Sequence, residues 1–467
     1  MERTEGPVSG EAVSPARLLV EVGDGRTASA ILENGFIERC RNLGAETHVL
    51  TPGALFAPFV ARYEGPGTRF TYMSVDALNQ ARHGRLRHWE ARAGRWLCTK
   101  ELVGARRALW RHLGERLVAA DGAPYRDLID HEQPHCVVST NLNLGFGRGL
   151  VALARRMGIP TVGNVFSWDH PFYEQQSRPD RLTCWSPVVR DGLVRRGGFS
   201  PDQIDVIGAP VFDPYFDAGG VLTREELCDR LGLDSRRPIV LYATLGQMRT
   251  FWDETGTLRA FLEAMDRAEL PGPPQFVLRL HPLSVDHYFE DFRERRDLVF
   301  SRYVGYCPGL RWWPSRQEVT FAGNLLRHAD VCVSPGSTMT VEAAIFDTPT
   351  VVPVFNPAIP DEYDRFFEEN WLNKHLRFLM QDDRVCLARS ADEAVGGVRR
   401  ALADRSWLAE GRRDVRERLL GPLDGRATER LAEVVVRSAS RTEGVRNRRR
   451  PAVKQADGAD ALISARE

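Results

Sequence analysis

Short apolar runs recur along the chain, separated by stretches of helical length. In the first half the runs are Arg17 to Val22, Thr47 to Leu50, His135 to Ser139, Pro160 to Phe166, Leu182 to Trp185 and Ile204 to Ile207. Runs this short, bounded by Gly, Pro, Asp or Ser, predict strands buried in a sheet. Between them, Ala28 to Leu43 and Gly149 to Met157 predict helices. From about Met73 to Ala120 the chain is rich in Arg, Leu, Trp and Ala with little Gly or Pro, which predicts long helices set into the alternation. Strand–helix alternation of this kind specifies a parallel sheet covered by helices.

The rhythm breaks at Gly208 to Gly220, a stretch rich in Pro, Gly and Asp, and then restarts. Thr223 with Glu226 has capping-box spacing, as has Ser390 with Glu393 ahead of a helix running towards Ala403. Strands are predicted at Pro238 to Ala243, Gln275 to Leu280, Val331 to Val333, Thr350 to Phe355 and Val385 to Ala388. Helices at about Leu408 to Leu420 and Ala427 to Ser438 close the fold. The expected class is α/β, with two doubly wound Rossmann-like domains facing across a cleft. Its parts are a disordered leader over 1–16, a first domain over 17–212 carrying the helical insert at about 73–120, a linker over 213–222, a second domain over 223–440 and a disordered basic tail over 441–467.

Length agrees with this division, because 467 residues exceed one ordinary core. The formal net charge is zero, so no global field recruits nucleic acid, and none is expected as a partner. Eight cysteines are scattered without a CxxC pair, which argues against zinc and disulfide frameworks. No apolar signal core or membrane-length run is evident, so a cytoplasmic protein is expected. Trp89, Trp96 and Trp110 among the arginines of the insert suit either acceptor or peripheral membrane contact, or a core with solvated arginines.

The segment DVCVSPGSTMTVEAAIFDTPTVVPVF, Asp330 to Phe355, carries the most chemistry. It reads as strand, tight turn, a helix opening near Ser337, and a second strand. Unpaired N–H groups at a helix start attract phosphate. Gly336 lets a ligand approach the backbone, and Ser337 and Thr338 add hydroxyls. Glu342 lies one turn beyond Thr338 on the same face, where it can hold a ribose; capping-box spacing does not account for it. Two further loops fall at strand ends. Thr244 and Gly246 can offer a hydroxyl and an N–H, and Arg279 with His281 sets a cation and an imidazole on one side of a strand. A buried Arg is costly unless it meets an anion or a carboxylate.

In the first domain, Asp169 and His170 follow a strand and are suited to general base work on an acceptor hydroxyl, with Asp24 a weaker candidate. The same residues also suit a loop-stabilising network. Gly145-Phe146-Gly147-Arg148-Gly149 runs GxGxG where a dinucleotide fingerprint needs GxGxxG, so no NAD is expected, nor any other cofactor beyond the nucleotide-sugar co-substrate. No DxD pair or HExxH appears, so no metal site is expected.

Several segments together resemble bacterial GT-B glycosyltransferases of surface-polysaccharide assembly. They are Cys184-Trp185-Ser186, Ser200-Pro201-Asp202-Gln203-Ile204 with Gly208-Ala209-Pro210 and Phe212-Asp213, the RLHP of residues 279–282, the SPGSTMTVEAAIFDTPTVVPVF segment, and Leu423 to Val435. The resemblance implies a nucleotide-sugar donor held by the second domain and a hydroxyl acceptor held by the first. It places Gly336, Ser337 and Thr338 at the donor diphosphate, Glu342 at the ribose, Arg279 and His281 near the phosphates or sugar, and Asn356 and Asp361 near sugar hydroxyls. Many retaining members carry a second glutamate after this one; here the position eight after Glu342 is Thr350, which favours inversion. A CDP-alditol phosphotransferase of teichoic-acid type, a sugar epimerase and a catalytically silent partner subunit are the alternatives.

Overall fold

The computed structural model describes residues 14–74, 122–142, 146–170, 177–245, 254–270, 272–282, 284–360 and 375–449. The predicted alternation folds into two parallel sheets. The first has the order β3-β2-β1-β4-β5-β6-β7, from β1 (Ala16–Glu21), β2 (Ala45–Thr51), β3 (Thr68–Tyr72), β4 (Cys136–Ser139), β5 (Thr161–Asn164), β6 (Arg181–Cys184) and β7 (Ile204–Val206). The second has the order β10-β9-β8-β13-β14-β15, from β8 (Ile239–Ala243), β9 (Gln275–Arg279), β10 (Leu298–Ser301), β13 (Val331–Val333), β14 (Thr350–Pro353) and β15 (Cys386–Ala388). A small antiparallel hairpin, β11 (Tyr306–Cys307) and β12 (Arg311–Trp312), stands apart from both.

In each sheet the strand order reverses once, between β1 and β4 in the first and between β8 and β13 in the second. A crevice opens at the carboxyl ends of the strands where the order reverses, and ligands of doubly wound sheets gather there. Register puts Glu21 beside Ser139 at the first crevice, while Val333 beside Tyr242 leads into the second.

The linker is ordered. Pro210–Phe216 and Ala218–Gly220 form 3-10 turns, and Asp213 accepts from the N–H groups of Ala427 and Thr428 at 3.0 and 2.8 Å, capping the closing helix. That helix, Ala427–Arg449, packs back onto the first sheet, so both termini of the described chain belong to one lobe. It continues past Ser438 into the region expected to be a disordered tail; no proline or glycine pair interrupts residues 439–449, so the helix has no local reason to stop.

The lobes also meet directly. Gly25 N–H donates to Leu310 O at 3.1 Å, and Trp313 Nε1 donates to the Tyr63 hydroxyl at 2.9 Å. One apolar cluster runs through the interface, from Val165 and Trp185 of the first lobe to Val341 and Val352 of the second. Cys136, Cys184 and Cys332 are buried in strands as free thiols. The helical insert lies outside the described residues apart from Met73 and Ser74. Among the described residues no helix is long and apolar enough to cross a membrane.

Candidate functional site

A cleft of about 430 Å³ opens between the lobes. Of the residues singled out from sequence, Asp169, His170, Thr244, Arg279, His281, Gly336, Ser337, Thr338 and Glu342 all line it. Four separate strand ends therefore converge on one space, as the doubly wound topology requires.

The turn after β13 is built as a helix start. Gly336 has φ 78°, a left-handed conformation that glycine adopts without strain. Ser337 caps the helix Thr338–Ile345, its Oγ accepting from Met339 N–H at 3.2 Å and pairing with Ser334 Oγ at 2.9 Å. Its hydroxyl is thus committed largely to the turn. Thr340 N–H donates to Ser337 O at 3.0 Å, while the N–H groups of Ser337 and Thr338 have no protein acceptor among the described residues. Those two amides carry the positive end of the helix dipole into the cleft.

Arg279 ends β9 and is only 4% exposed. Its Nη1 donates to Ser301 Oγ at 2.8 Å, and its guanidinium lies 3.9 Å from the Tyr303 ring centroid. Its Nη2 has no hydrogen-bond partner among the described residues, and no carboxylate forms an ion pair with it there. A buried guanidinium held by a π face and one hydroxyl, with Glu342 near enough to feel its charge but not hydrogen-bonded to it, keeps Nη2 available to an anion.

His281 stands beside it. Thr244 Oγ1 accepts from its backbone N–H at 2.8 Å and meets Ser284 Oγ at 3.1 Å, so the Thr244 hydroxyl ties two loops together. Burial, with the nearby charge of Arg26, pushes the His281 imidazole down to about 4. The ring is therefore neutral at pH 7.

Glu342 is half-buried, and burial raises its carboxyl above the usual range, opposed by the Tyr215 hydrogen bond and the charge of Arg279. The Tyr215 hydroxyl donates to Glu342 Oε2. Among the described residues this is the only side-chain hydrogen bond of Glu342, and Oε1 makes none.

Across the cleft, the loop after β5 brings Ser167 Oγ to Asp169 Oδ1 and His170 N–H to Ser167 O at 3.2 Å. Both candidate bases therefore sit in a loop braced by its own hydrogen bonds. Asp24 caps the helical turn Gly25–Thr27, accepting from Arg26 N–H at 2.9 Å and Thr27 N–H at 3.1 Å, and is not among the residues lining the cleft.

Asn356 is buried outside the cleft lining, its Oδ1 accepting from Ala358 N–H at 3.0 Å in a turn after β14. Gly246 and Asp361 lie outside the described residues. Sequence reasoning missed Arg26, Tyr215, Tyr303 and Trp312, all in the cleft wall. Arg26 had a signal in its place one residue after a Gly-rich turn; the aromatic residues had none. The GxGxG segment has a structural use. A Cβ on Gly147 would lie 2.1 Å from Ser139 Oγ and 2.4 Å from Glu21 Oε2, so this glycine makes room for a buried Glu21–Ser139 pair. Among the described residues no group of three or more His, Cys, Asp or Glu is placed to hold a metal ion.

Comparison with known proteins agrees in fold. No protein-family model and no curated protein matches the chain. Among solved structures it is similar to S. aureus MnaA with UDP, at 11% identity over 89% of this chain and 94% of that one, TM-score 0.53. It is similar to the wall teichoic acid polymerase TagF at 12% identity, 92% and 90% coverage, TM-score 0.54. The UDP-GlcNAc 2-epimerase of Neisseria meningitidis bound to UDP-GlcNAc gives 10% identity, 90% and 100% coverage, TM-score 0.51. What this chain shares with them at such identities is the two-domain GT-B fold.

Proposed function

We propose that this GT-B chain is a glycosyltransferase that moves a sugar from a nucleotide diphosphate to an acceptor hydroxyl, on a glycan, a lipid-linked intermediate or a small natural product. The observation that carries the reading is Arg279: a buried guanidinium in the wall of an interlobe cleft, with one nitrogen that has no partner among the described residues, beside a helix start whose first two amides have no acceptor among them. Solved structures of this fold that hold UDP or UDP-GlcNAc support the choice of anion.

In this scheme the donor diphosphate lies on the Ser337 and Thr338 amides, and Glu342 Oε1 takes a ribose hydroxyl. Asp169 or His170 removes the proton from the acceptor hydroxyl as its oxygen attacks the anomeric carbon, and the diphosphate leaves with the bonding pair. The attack comes from the lobe opposite the leaving group, which inverts the anomeric centre. Charge developing on the diphosphate is met by the helix N-terminus and Arg279 in place of a metal. His281, neutral before binding, supplies a hydrogen bond there rather than a fixed charge.

Incubation with UDP-, GDP-, CDP- and TDP-sugars and pooled acceptors, with products resolved by mass, tests the scheme. A free nucleoside diphosphate with a glycosylated acceptor is expected. CMP release would mark a phosphotransferase, and an epimerised donor without acceptor an epimerase. Binding without turnover would mark a silent partner subunit. Each of these three would overturn the proposal.

A further inference from the structure

The linker reaches the donor site through one side chain. Tyr215, in the Pro210–Phe216 turn, is 3% exposed and sends its hydroxyl to Glu342 Oε2. Its ring is held on three sides. Phe212 stacks at 5.4 Å with an interplanar angle of 25°, and Phe346, one turn beyond Glu342, lies at 5.4 Å. On the helix Arg316–His328, Gly323 leaves the third opening: a Cβ there would sit 2.7 Å from Tyr215 Cδ1. Arg327 Nη2 donates to Tyr215 O at 3.2 Å and fixes the backbone. A ring so confined has no freedom to leave its carboxylate.

We infer that Tyr215 is a positioning residue for the donor ribose: it occupies Glu342 Oε2 from the interdomain linker and so turns Oε1 towards the ligand. The inference rests on the ribose role given to Glu342 above and adds the residue that orients it. Burial keeps the Tyr215 hydroxyl protonated, so it has a proton to donate to Glu342. A carboxylate has two oxygens to orient, and a free one rotates about its terminal torsion. Fixing one oxygen from a rigid element pre-organises the other, and a hydrogen bond to a charged acceptor is among the stronger neutral-donor bonds. Because the donor of that bond belongs to the linker, the geometry between lobes and the grip on the ribose are coupled.

The test compares calorimetric affinities of UDP, GDP and CDP with those of their 2′,3′-dideoxy analogues, for the wild type, Glu342→Gln and Tyr215→Phe. The wild type should prefer the ribonucleotide it binds best by about tenfold or more. Glu342→Gln should lose that preference. Tyr215→Phe, which removes one oxygen and no ring, should lose most of it while leaving affinity for the dideoxy ligand close to that of the wild type, with a modest fall in melting temperature from the lost hydrogen bond. A structural defect would lower both affinities together. Three results would overturn the inference, and they separate its failure from that of the functional reading. Binding of none of the nucleotides by the wild type removes the functional reading and this one with it. Loss of preference in Glu342→Gln with full preference in Tyr215→Phe removes the role of Tyr215 alone. A gain of ribonucleotide affinity in Tyr215→Phe would make the tyrosine a plug.

Discussion

Each sheet sets a helix behind the strand at its reversal point, and the two sheets use that helix in opposite ways. After β4, the helix Phe146–Arg156 comes down onto Glu21 and Ser139, whose side chains meet at 2.9 Å beneath Gly147. The protein's own carboxyl fills that crevice. After β13, Gly336 and Ser337 open the helix Thr338–Ile345 onto the cleft, and Arg279 Nη2 beside it has no hydrogen-bond partner among the described residues. Glycine at a crevice therefore does not by itself mean a ligand; the deciding feature is whether the protein supplies the group the crevice would otherwise attract. With its crevice occupied, the first lobe contributes to the cleft through the neighbouring loop after β5 and through Arg26, Ser29 and Trp185, among others.

That contrast can be broken or sharpened by substitution. Asp169→Asn and His170→Ala probe the first lobe's contribution: the variant that removes the working base should lower turnover by about a hundredfold or more while donor affinity stays unchanged. Unchanged product formation in both would remove general base chemistry from this loop. Next come the two glycines. Gly147→Ala should destabilise the fold by about 1–3 kcal/mol, since the new methyl must displace Ser139 and Glu21, and should leave donor affinity alone. Gly336→Ala, forced into left-handed backbone, should cost stability of about 1 kcal/mol and also weaken donor binding. Equal effects of both on binding would mean that the crevices do not differ in function.

At acid pH the smallest effect is expected from Glu21→Gln. Burial raises the Glu21 carboxyl to about 8 from its ordinary 4.5. The folded chain thus holds a proton that the unfolded chain releases, so its contribution to stability is complete below 4.5 and fades as pH rises through about 8. The amide cannot ionise. Melting curves should nearly coincide at pH 4.5, and the variant should melt higher at pH 9. A parallel pH dependence in both proteins would show that Glu21 is ionised in the fold.

Much of this was legible in the chain. Buried strands such as Leu18 to Val20 and Val331 to Val333 announce themselves by composition, because both faces of a central parallel strand are covered. The Thr223–Glu226 box formed in full, whereas Glu393 reached past Ser390 to the N–H of Arg389, a difference no spacing rule foresees. Edge strands were harder. β3 is half-exposed and reads TRFTY, and β11 and β12 have two residues each, too few to show a period. Arg279 and His281 could be proposed from their place at a strand end, but their state could not. The neutral imidazole and the π-stacked guanidinium depend on Arg26, Tyr303 and Ser301, which only folding brings near. Tyr215 was hidden for the same reason, since nothing local marks a linker tyrosine as the partner of a glutamate in another domain.

The most direct measurement is a crystal of the protein soaked with the sugar nucleotide that raises its melting temperature most. The account predicts diphosphate density on the Ser337 and Thr338 amides, with a phosphate oxygen on Arg279 Nη2 and a ribose hydroxyl on Glu342. Nucleotide bound elsewhere, with Arg279 still facing only Tyr303 and Ser301, would contradict it.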